Sequence, residues 1–212
     1  MRGAAPFCNA IYWLALTIWV GVLISAGVAA TGTFTVLPDP ELGVHLEKFA
    51  QFQAPRGTHG RIAAGHVMEP IFTFVDLAQV AAGAVVLVTV LMQLTIFRRH
   101  ARRSVSLWSI VRVLCIGGAL ALFTYRVLAV SPDMNRDLRA YWSAAQAGDV
   151  ETADRHYAAF TANHPRASRL FNSTLLLLLV SVAASAVVLG PPPAREDDNK
   201  SGLETPKLLK KG

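Results

Sequence analysis

Two charged side chains of opposite sign lie inside apolar stretches of this sequence, where charge is rare. Asp76 interrupts the apolar run 71–97, and Arg126 lies in the run 107–130. An ionisable group in a bilayer is costly without a partner, so such residues mark ion pairs, proton relays or substrate paths. The chemistry open to this candidate intramembrane pair is therefore a structural salt bridge or a proton- or ion-linked transport site.

The depths of the two residues in their runs match. Asp76 lies five residues from the start of its run, about 7.5 Å at 1.5 Å per residue, and Arg126 lies four residues, about 6 Å, from the end of its own. Adjacent antiparallel helices bring those two ends to the same side. Three interpretations stay open at this point: a static pair that holds two helices in register, a transport site, and no contact between the two side chains.

Other polar residues follow the same helix faces. Gln79 and Gln93 share a face with Asp76, while Arg112 lies fourteen residues before Arg126 on one helical stripe. We predict that Gln79, Gln93 and Arg112 form a polar stripe directed toward the interior of a helix bundle.

The elements that position these residues are four apolar runs long enough to cross a bilayer. A span needs about 20 apolar residues, and in lipid only a helix satisfies its own backbone. The composition agrees, with 53% hydrophobic and 16% charged residues and a mean hydropathy of +0.40. The sequence therefore predicts an all-α integral membrane four-helix bundle with spans at residues 11–36, 71–97, 107–130 and 169–189.

The orientation follows from the basic turn between the second and third spans. Four arginines occur within residues 98–103, and short loops rich in Lys and Arg stay on the cytoplasmic side. We therefore expect both termini in the cytoplasm and a location in the plasma membrane or a bacterial inner membrane. The net charge of +6 suits anionic lipid. The expected partners are membrane lipid and either a second copy or another membrane protein, and not nucleic acid, because no nucleic-acid motif occurs.

The first run admits a second interpretation. Its basic start, its apolar region and the small residues at 28–30 also occur in cleavable signal peptides, and cleavage would leave three spans. The run is longer than the about 7–15 apolar residues of a signal peptide and continues to Val36, so we favour an uncleaved span. The spacing of Gly21, Ser25 and Ala29 predicts close packing against another helix.

Two polar connections are expected outside the membrane. The Pro-Asp-Pro segment 38–40 ends the first helix, and the apolar spacing in 42–52 predicts an amphipathic surface helix. The second connection predicts a small extramembrane helical hairpin over residues 133–164, with a break at Gly148 and a stop at Pro165.

One membrane domain, residues 1–190, is expected, followed by a disordered cytoplasmic tail over 191–212 that lacks periodicity. No histidine lies deep in an apolar run, where it could ligate haem, and we expect no cofactor. The histidines at 45, 59 and 66 suggest a metal site, but their spacing matches no familiar ligand signature, so we predict solvated histidines and no metal.

No catalytic or nucleotide-binding motif and no paired cysteines occur in the chain. We therefore expect no catalytic residues, and predict a non-enzymatic membrane protein with a structural or interaction role. The alternative is a small transporter or channel component that uses the pair of Asp76 and Arg126.

Short motifs resemble those of one known family. The first span carries a Trp-x-Gly motif, and an aromatic, His, Ser, Asn series with a spacing of four precedes the last span. The residues concerned are Trp19, Gly21, Phe160, His164, Ser168 and Asn172. In these features residues 11–189 resemble the transmembrane protein 205-like family, which implies a four-span membrane domain of unknown function and no particular reaction.

The chain also departs from that family. Its connection over 131–159 is longer and more acidic, and the tail after Pro193 is particular to this chain. The spacing of four places Phe160 and His164 on one helix face, if a helix continues through Pro165. We expect His164 to hydrogen-bond to the neighbouring helical hairpin, with a pH-sensitive or anion-binding site beside Arg166 as the alternative.

Overall fold

The computed structural model describes residues 4–52, 58–97 and 106–189, and every regular element in these ranges is helical. Five α-helices follow one another: α1 (Ala4–Val36), α2 (Thr58–Met92), α3 (Leu107–Tyr125), α4 (Ser131–Gln146) and α5 (Val150–Leu189). Two π-helical turns extend α2 over Gln93–Phe97 and join α3 to α4 over Arg126–Val130. The described ranges hold four continuous helices long and apolar enough to cross a membrane, which confirms the all-helical prediction.

The helices pair as two hairpins. α1 packs along α2, while α3 and α4 form one continuous helix of 40 residues that packs along α5, which is equally long. The second hairpin turns at Gly148, which adopts a left-handed φ of 73°, as the sequence predicts. The Thr152 amide donates to Asp149 Oδ1 at 3.0 Å. This bond caps α5 and lowers the pKa of the exposed Asp149 carboxyl.

The apolar core of the bundle lies between the hairpins. It includes the fully buried residues Tyr12, Leu16, Trp19, Val86, Ala119 and Leu178. The outward faces of the same helices are apolar as well, with exposed side chains such as Leu14, Phe74, Leu114 and Leu176. A helix that is hydrophobic all round suits a lipid environment. The four apolar helices are therefore compatible with a multi-pass membrane protein.

A second core lies beyond the apolar part of the bundle. We call this region the cap; it comprises residues 37–52, 58–70 and 131–164, and its buried side chains include Phe49, Phe52, Ile62, Tyr141, Trp142 and Ala153. Here the ring of His66 stacks on Trp142 with 3.9 Å between centroids, and Arg139 Nη2 donates to Glu69 Oε1 at 2.8 Å. The cap is therefore larger than the predicted hairpin, because the first turns of α2 belong to it.

The stop predicted at Pro165 is wrong. α5 runs unbroken through this proline, so the predicted fourth span is the second half of a longer helix. α2 likewise passes through Pro70 and begins at Thr58, thirteen residues before the predicted span. Proline costs a helix one backbone hydrogen bond, and in both helices packing against the partner helix of the hairpin outweighs that loss.

The amphipathic helix predicted over 42–52 is also absent. The segment forms two short 3-10 turns, Pro40–Leu42 and Glu47–Phe49, and Gly43 between them adopts a left-handed φ of 57°. Phe49 turns into the cap core and is buried, which a helix lying on a membrane surface would not achieve. The basic turn 98–103 and the tail 191–212 lie outside the described residues.

Gly21 and Ser25, on the small-residue face of α1, do not pack against the part of the chain that the structure describes. Gly21 and Ser25 are exposed, and a Cβ added at Gly21 would meet no atom within 4 Å. The close approaches occur instead at Gly60, where the chain after α1 crosses α2, and at Gly83, where an added Cβ would lie 3.2 Å from the Trp19 ring. Sequence spacing alone did not distinguish these glycines.

Two glycines provide a matched test of this packing. A Cβ at Gly60 would lie 2.0 Å from the backbone oxygen of Leu37, whereas one at Gly117 would meet nothing. We expect Gly60→Ala to lower the free energy of unfolding by about 1–3 kcal/mol, because backbone must shift. Gly117→Ala should leave it unchanged or raise it by up to about 1 kcal/mol through helix propensity. Thermal unfolding in detergent, followed by tryptophan fluorescence, measures both; equal stability of the two variants would contradict the contact at Gly60.

Candidate functional site

Asp76 and Arg126 are in contact. Arg126 Nη2 donates a charge-assisted hydrogen bond to Asp76 Oδ1, and the side chains of Arg126 and Asp76 are 9% and 27% exposed. Asp76 belongs to α2, and Arg126 opens the π-helical turn after α3. The pair therefore links the two hairpins inside the apolar part of the bundle, at the matching depths that the sequence indicates.

A chain of hydrogen bonds extends this pair to α1. Gln79 Nε2 donates to Asp76 Oδ1 at 3.2 Å, and Trp19 Nε1 donates to Gln79 Oε1 at 3.3 Å. Trp19 and Gln79 are both fully buried. Each of these four polar side chains therefore has a partner, which a low-dielectric interior requires. We call Trp19, Gln79, Asp76 and Arg126 the paired network.

Aromatic rings complete the surroundings of Arg126. The guanidinium carbon lies 5.7 Å from the ring centroid of Phe123 and 5.8 Å from that of Phe171. Both distances fall within the about 6 Å over which a ring attracts a cation. Phe171 belongs to α5, so the guanidinium contacts the partner helix of its own hairpin as well as the carboxylate of the other hairpin.

The remaining stripe residues lie near the opposite end of the apolar helices. Gln93 Nε2 donates to Asn9 Oδ1 at 3.0 Å, and the Arg112 guanidinium carbon lies 5.4 Å from the Tyr12 ring centroid. Arg112 and Arg126 are fourteen residues apart, about 21 Å along a helix. The single stripe predicted from the sequence is therefore divided into two separate polar clusters.

The residues of the family-like series do not form one site. Trp19 belongs to the paired network, while Gly21 and Asn172 are exposed and Ser168 is half-buried. The rings of Phe160 and His164 are in contact, 5.3 Å apart, because α5 is unbroken. Among the described residues no hydrogen bond joins His164 to the neighbouring helix α4, so that expectation is wrong.

The cap histidines pack against one another and against aromatic rings. The ring centroids of His45 and His59 lie 5.2 Å apart, and those of His66 and Phe49 lie 6.1 Å apart. The amide of Leu46 donates to His59 Nδ1 at 3.2 Å. Within residues 4–52, 58–97 and 106–189, no group of three or more His, Cys, Asp or Glu is arranged to hold a metal ion.

Sequence reasoning missed the role of Trp19 in the paired network and the contact of Phe171 with Arg126. A buried indole N–H needs an acceptor, so Trp19 in an apolar run could have been matched to an amide such as Gln79. No sequence signal indicated Phe171, because its position over Arg126 depends on how α5 packs beside α3.

A double-mutant cycle tests the energetic coupling of the pair. Asp76→Asn should lower the free energy of unfolding by about 3–5 kcal/mol, because it leaves a buried guanidinium uncompensated. Arg126→Gln should cost less, since the Asp76 side chain is 27% exposed and keeps its hydrogen bond from Gln79. We expect Asp76→Asn combined with Arg126→Gln to cost less than the sum of the single changes. Unfolding in mixed micelles provides the measurement.

The exposed pair in the cap is the matched control. Arg139 and Glu69 have side chains that are 70% and 36% exposed, so Arg139→Gln and Glu69→Gln should couple by no more than about 1 kcal/mol. If the effects of Asp76→Asn and Arg126→Gln on the free energy of unfolding were strictly additive, this would contradict a structural role for the pair of Asp76 and Arg126.

The comparisons with known proteins supply no relative. The function must therefore be inferred from the residues of the chain itself. These form the paired network at one end of the four apolar helices and a second polar cluster at the other end. No family model, no curated protein and no solved structure matches this chain.

Proposed function

We propose that this chain is a non-enzymatic, multi-pass membrane protein in which the paired network locks two helical hairpins together and the cap offers an interaction surface. The observation that carries the proposal is the closed chain of contacts from Trp19 through Gln79 and Asp76 to Arg126. Buried polar side chains that are hydrogen-bonded to one another act as a fixed link between helices. The resemblance to the transmembrane protein 205-like family, a four-span domain, supports the same architecture.

The proposed orientation places both termini in the cytoplasm and the cap outside, in a plasma or bacterial inner membrane. The four arginines of residues 98–103 support it, and the cap lies at the end of the helices opposite to Leu107, where α3 begins. Membrane lipid is the proposed partner of the apolar surface. A second copy, or another membrane protein, is the proposed partner of the exposed face around Gly21 and Ser25 on α1, since small residues allow close helix approach.

Cysteine labelling tests this orientation. Ser143 is exposed in the cap and Ser201 lies in the tail, so Ser143→Cys and Ser201→Cys are introduced separately after Cys8 and Cys115 are both replaced by alanine. We expect a membrane-impermeant maleimide to label intact cells at position 143 and to label position 201 only after lysis. Labelling of position 201 in intact cells would overturn the proposed orientation.

An epitope at the N-terminus tests whether the first span is cleaved. An epitope placed before Met1 should stay on the mature protein, because α1 continues as one helix from Ala4 to Val36 through the segment that a signal peptidase would cut. Loss of the epitope, with the rest of the chain intact, would instead support a three-span protein that follows the secretory path.

Transport is the second candidate, and one observation favours it: the Asp76 side chain remains 27% exposed although Arg126 is nearly buried. A carboxylate that is accessible at membrane depth can exchange a proton. We expect liposomes containing the wild-type chain to show the same proton and monovalent-ion flux as protein-free liposomes. A flux above that background, abolished by Asp76→Asn and retained in Arg139→Gln, would replace the structural role with transport.

A further inference from the structure

Arg112 is a buried cation without a counter-ion. The residue is 2% exposed, and the Nε and Nη1 atoms of its guanidinium have no hydrogen-bond partner among the described residues. Arginine keeps its charge in proteins, and a buried charge is retained only where it is paired or hydrogen-bonded. The Tyr12 ring, 5.4 Å away, offers an attractive face but accepts no conventional hydrogen bond.

The chain contains no carboxylate that could neutralise Arg112 within the apolar helices. Asp76 is the only acidic residue in the sequence ranges 4–36, 71–97, 107–130 and 169–189. It is already engaged by Arg126 and Gln79, about 21 Å further along the helices. The two arginines of one stripe therefore differ: Arg126 is paired with Asp76, whereas the described apolar helices offer Arg112 no anion.

Hydroxyl groups of α5 lie next to Tyr12, whose ring contacts Arg112. Ser185 Oγ donates to the Ser181 carbonyl oxygen at 2.6 Å, so in its contact of 2.6 Å with Tyr12 Oη the tyrosine supplies the proton. Ser181 Oγ, one turn from Ser185 on the same face, is buried and has no partner among the described residues. Its hydroxyl proton remains available to an acceptor.

The depth of Arg112 indicates which anion it meets. It lies five residues after Leu107, the first residue of α3, or about 7.5 Å from that helix end. Phosphate groups are the abundant anions at the border of a bilayer, and basic pockets between helices on the cytoplasmic side bind phosphorylated head groups. Several oxygens on one phosphate can accept from donors that point in different directions.

We propose that Arg112, supported by Ser181 and by the Tyr12 ring, is the centre of a phosphoryl-binding site at the end of the bundle opposite the cap. The group it binds is a phosphate oxyanion, supplied either by an anionic lipid head group or by free phosphate. The proposal rests on the membrane placement of the four helices, but it requires neither the paired network nor an interaction role for the cap.

The test uses the full chain in nanodiscs of phosphatidylcholine and follows thermal unfolding by tryptophan fluorescence. One arm adds inorganic phosphate at constant ionic strength, with chloride as the reference salt, and the other adds phosphatidylglycerol to the nanodisc. A ligand that binds the folded state raises Tm as its concentration rises. We expect Tm of the wild-type chain to rise in at least one arm. A rise with added inorganic phosphate identifies free phosphate as the ligand, and a rise with phosphatidylglycerol identifies a lipid head group.

Arg112→Gln should remove this response or raise the concentration needed for half of it by about tenfold to a hundredfold, the loss expected for hydrogen bonds to a charged group. Arg136→Gln is the control, because it makes the same charge change on a cap side chain that is 72% exposed, and it should respond as the wild type does. Ser181→Ala, which leaves the guanidinium in place, should weaken the response and serves if Arg112→Gln does not fold.

Two results would overturn the proposal: no rise in Tm of the wild-type chain in either arm, or equal responses of the wild type, Arg112→Gln and Ser181→Ala. Neither result depends on the cysteine-labelling experiment, so failure of the phosphoryl site and failure of the proposed membrane topology are distinguishable.

Discussion

A carboxylate and a guanidinium in the apolar part of a helix bundle have few partners other than each other, because neither water nor polar backbone is available there. The contact of Asp76 with Arg126 pairs both charges and joins the hairpin of α1 and α2 to the hairpin of α3, α4 and α5. Gln79 also donates to Asp76 Oδ1, and Trp19 donates to the amide oxygen of Gln79. Pairing these two charges is thus a constraint that the packing of the two hairpins has to meet.

The same requirement, that a buried charge needs a partner, applies to the second polar cluster. Arg112 lies on the stripe of Arg126 but has no acidic residue within reach among the apolar helices. The face of the Tyr12 ring lowers the cost of its burial without neutralising it. The two clusters therefore differ among the described residues: the charges of Asp76 and Arg126 are paired, and the charge of Arg112 is not.

α2, the continuous helix formed by α3 and α4, and α5 each run without interruption between the cap and the apolar part of the bundle. α3 continues into α4, and α5 passes from the cap into the apolar region through Pro165. His66 and Glu69, both on α2, contact Trp142 and Arg139 on α4. Because both hairpins reach into the cap, a partner bound there would act on the same helices that carry the paired network.

The sequence by itself determined the class of structure, since the length and hydropathy of four runs require helices in lipid, and the equal depths of Asp76 and Arg126 follow from counting residues. Tertiary structure alone decided the continuity of α2 and α5 through Pro70 and Pro165, because packing along a partner helix offsets a lost hydrogen bond. It also decided which glycines meet neighbouring atoms, and that Arg126 is paired whereas Arg112 is not. Helical periodicity assigns residues to a face, but only the packing of other helices determines what that face meets.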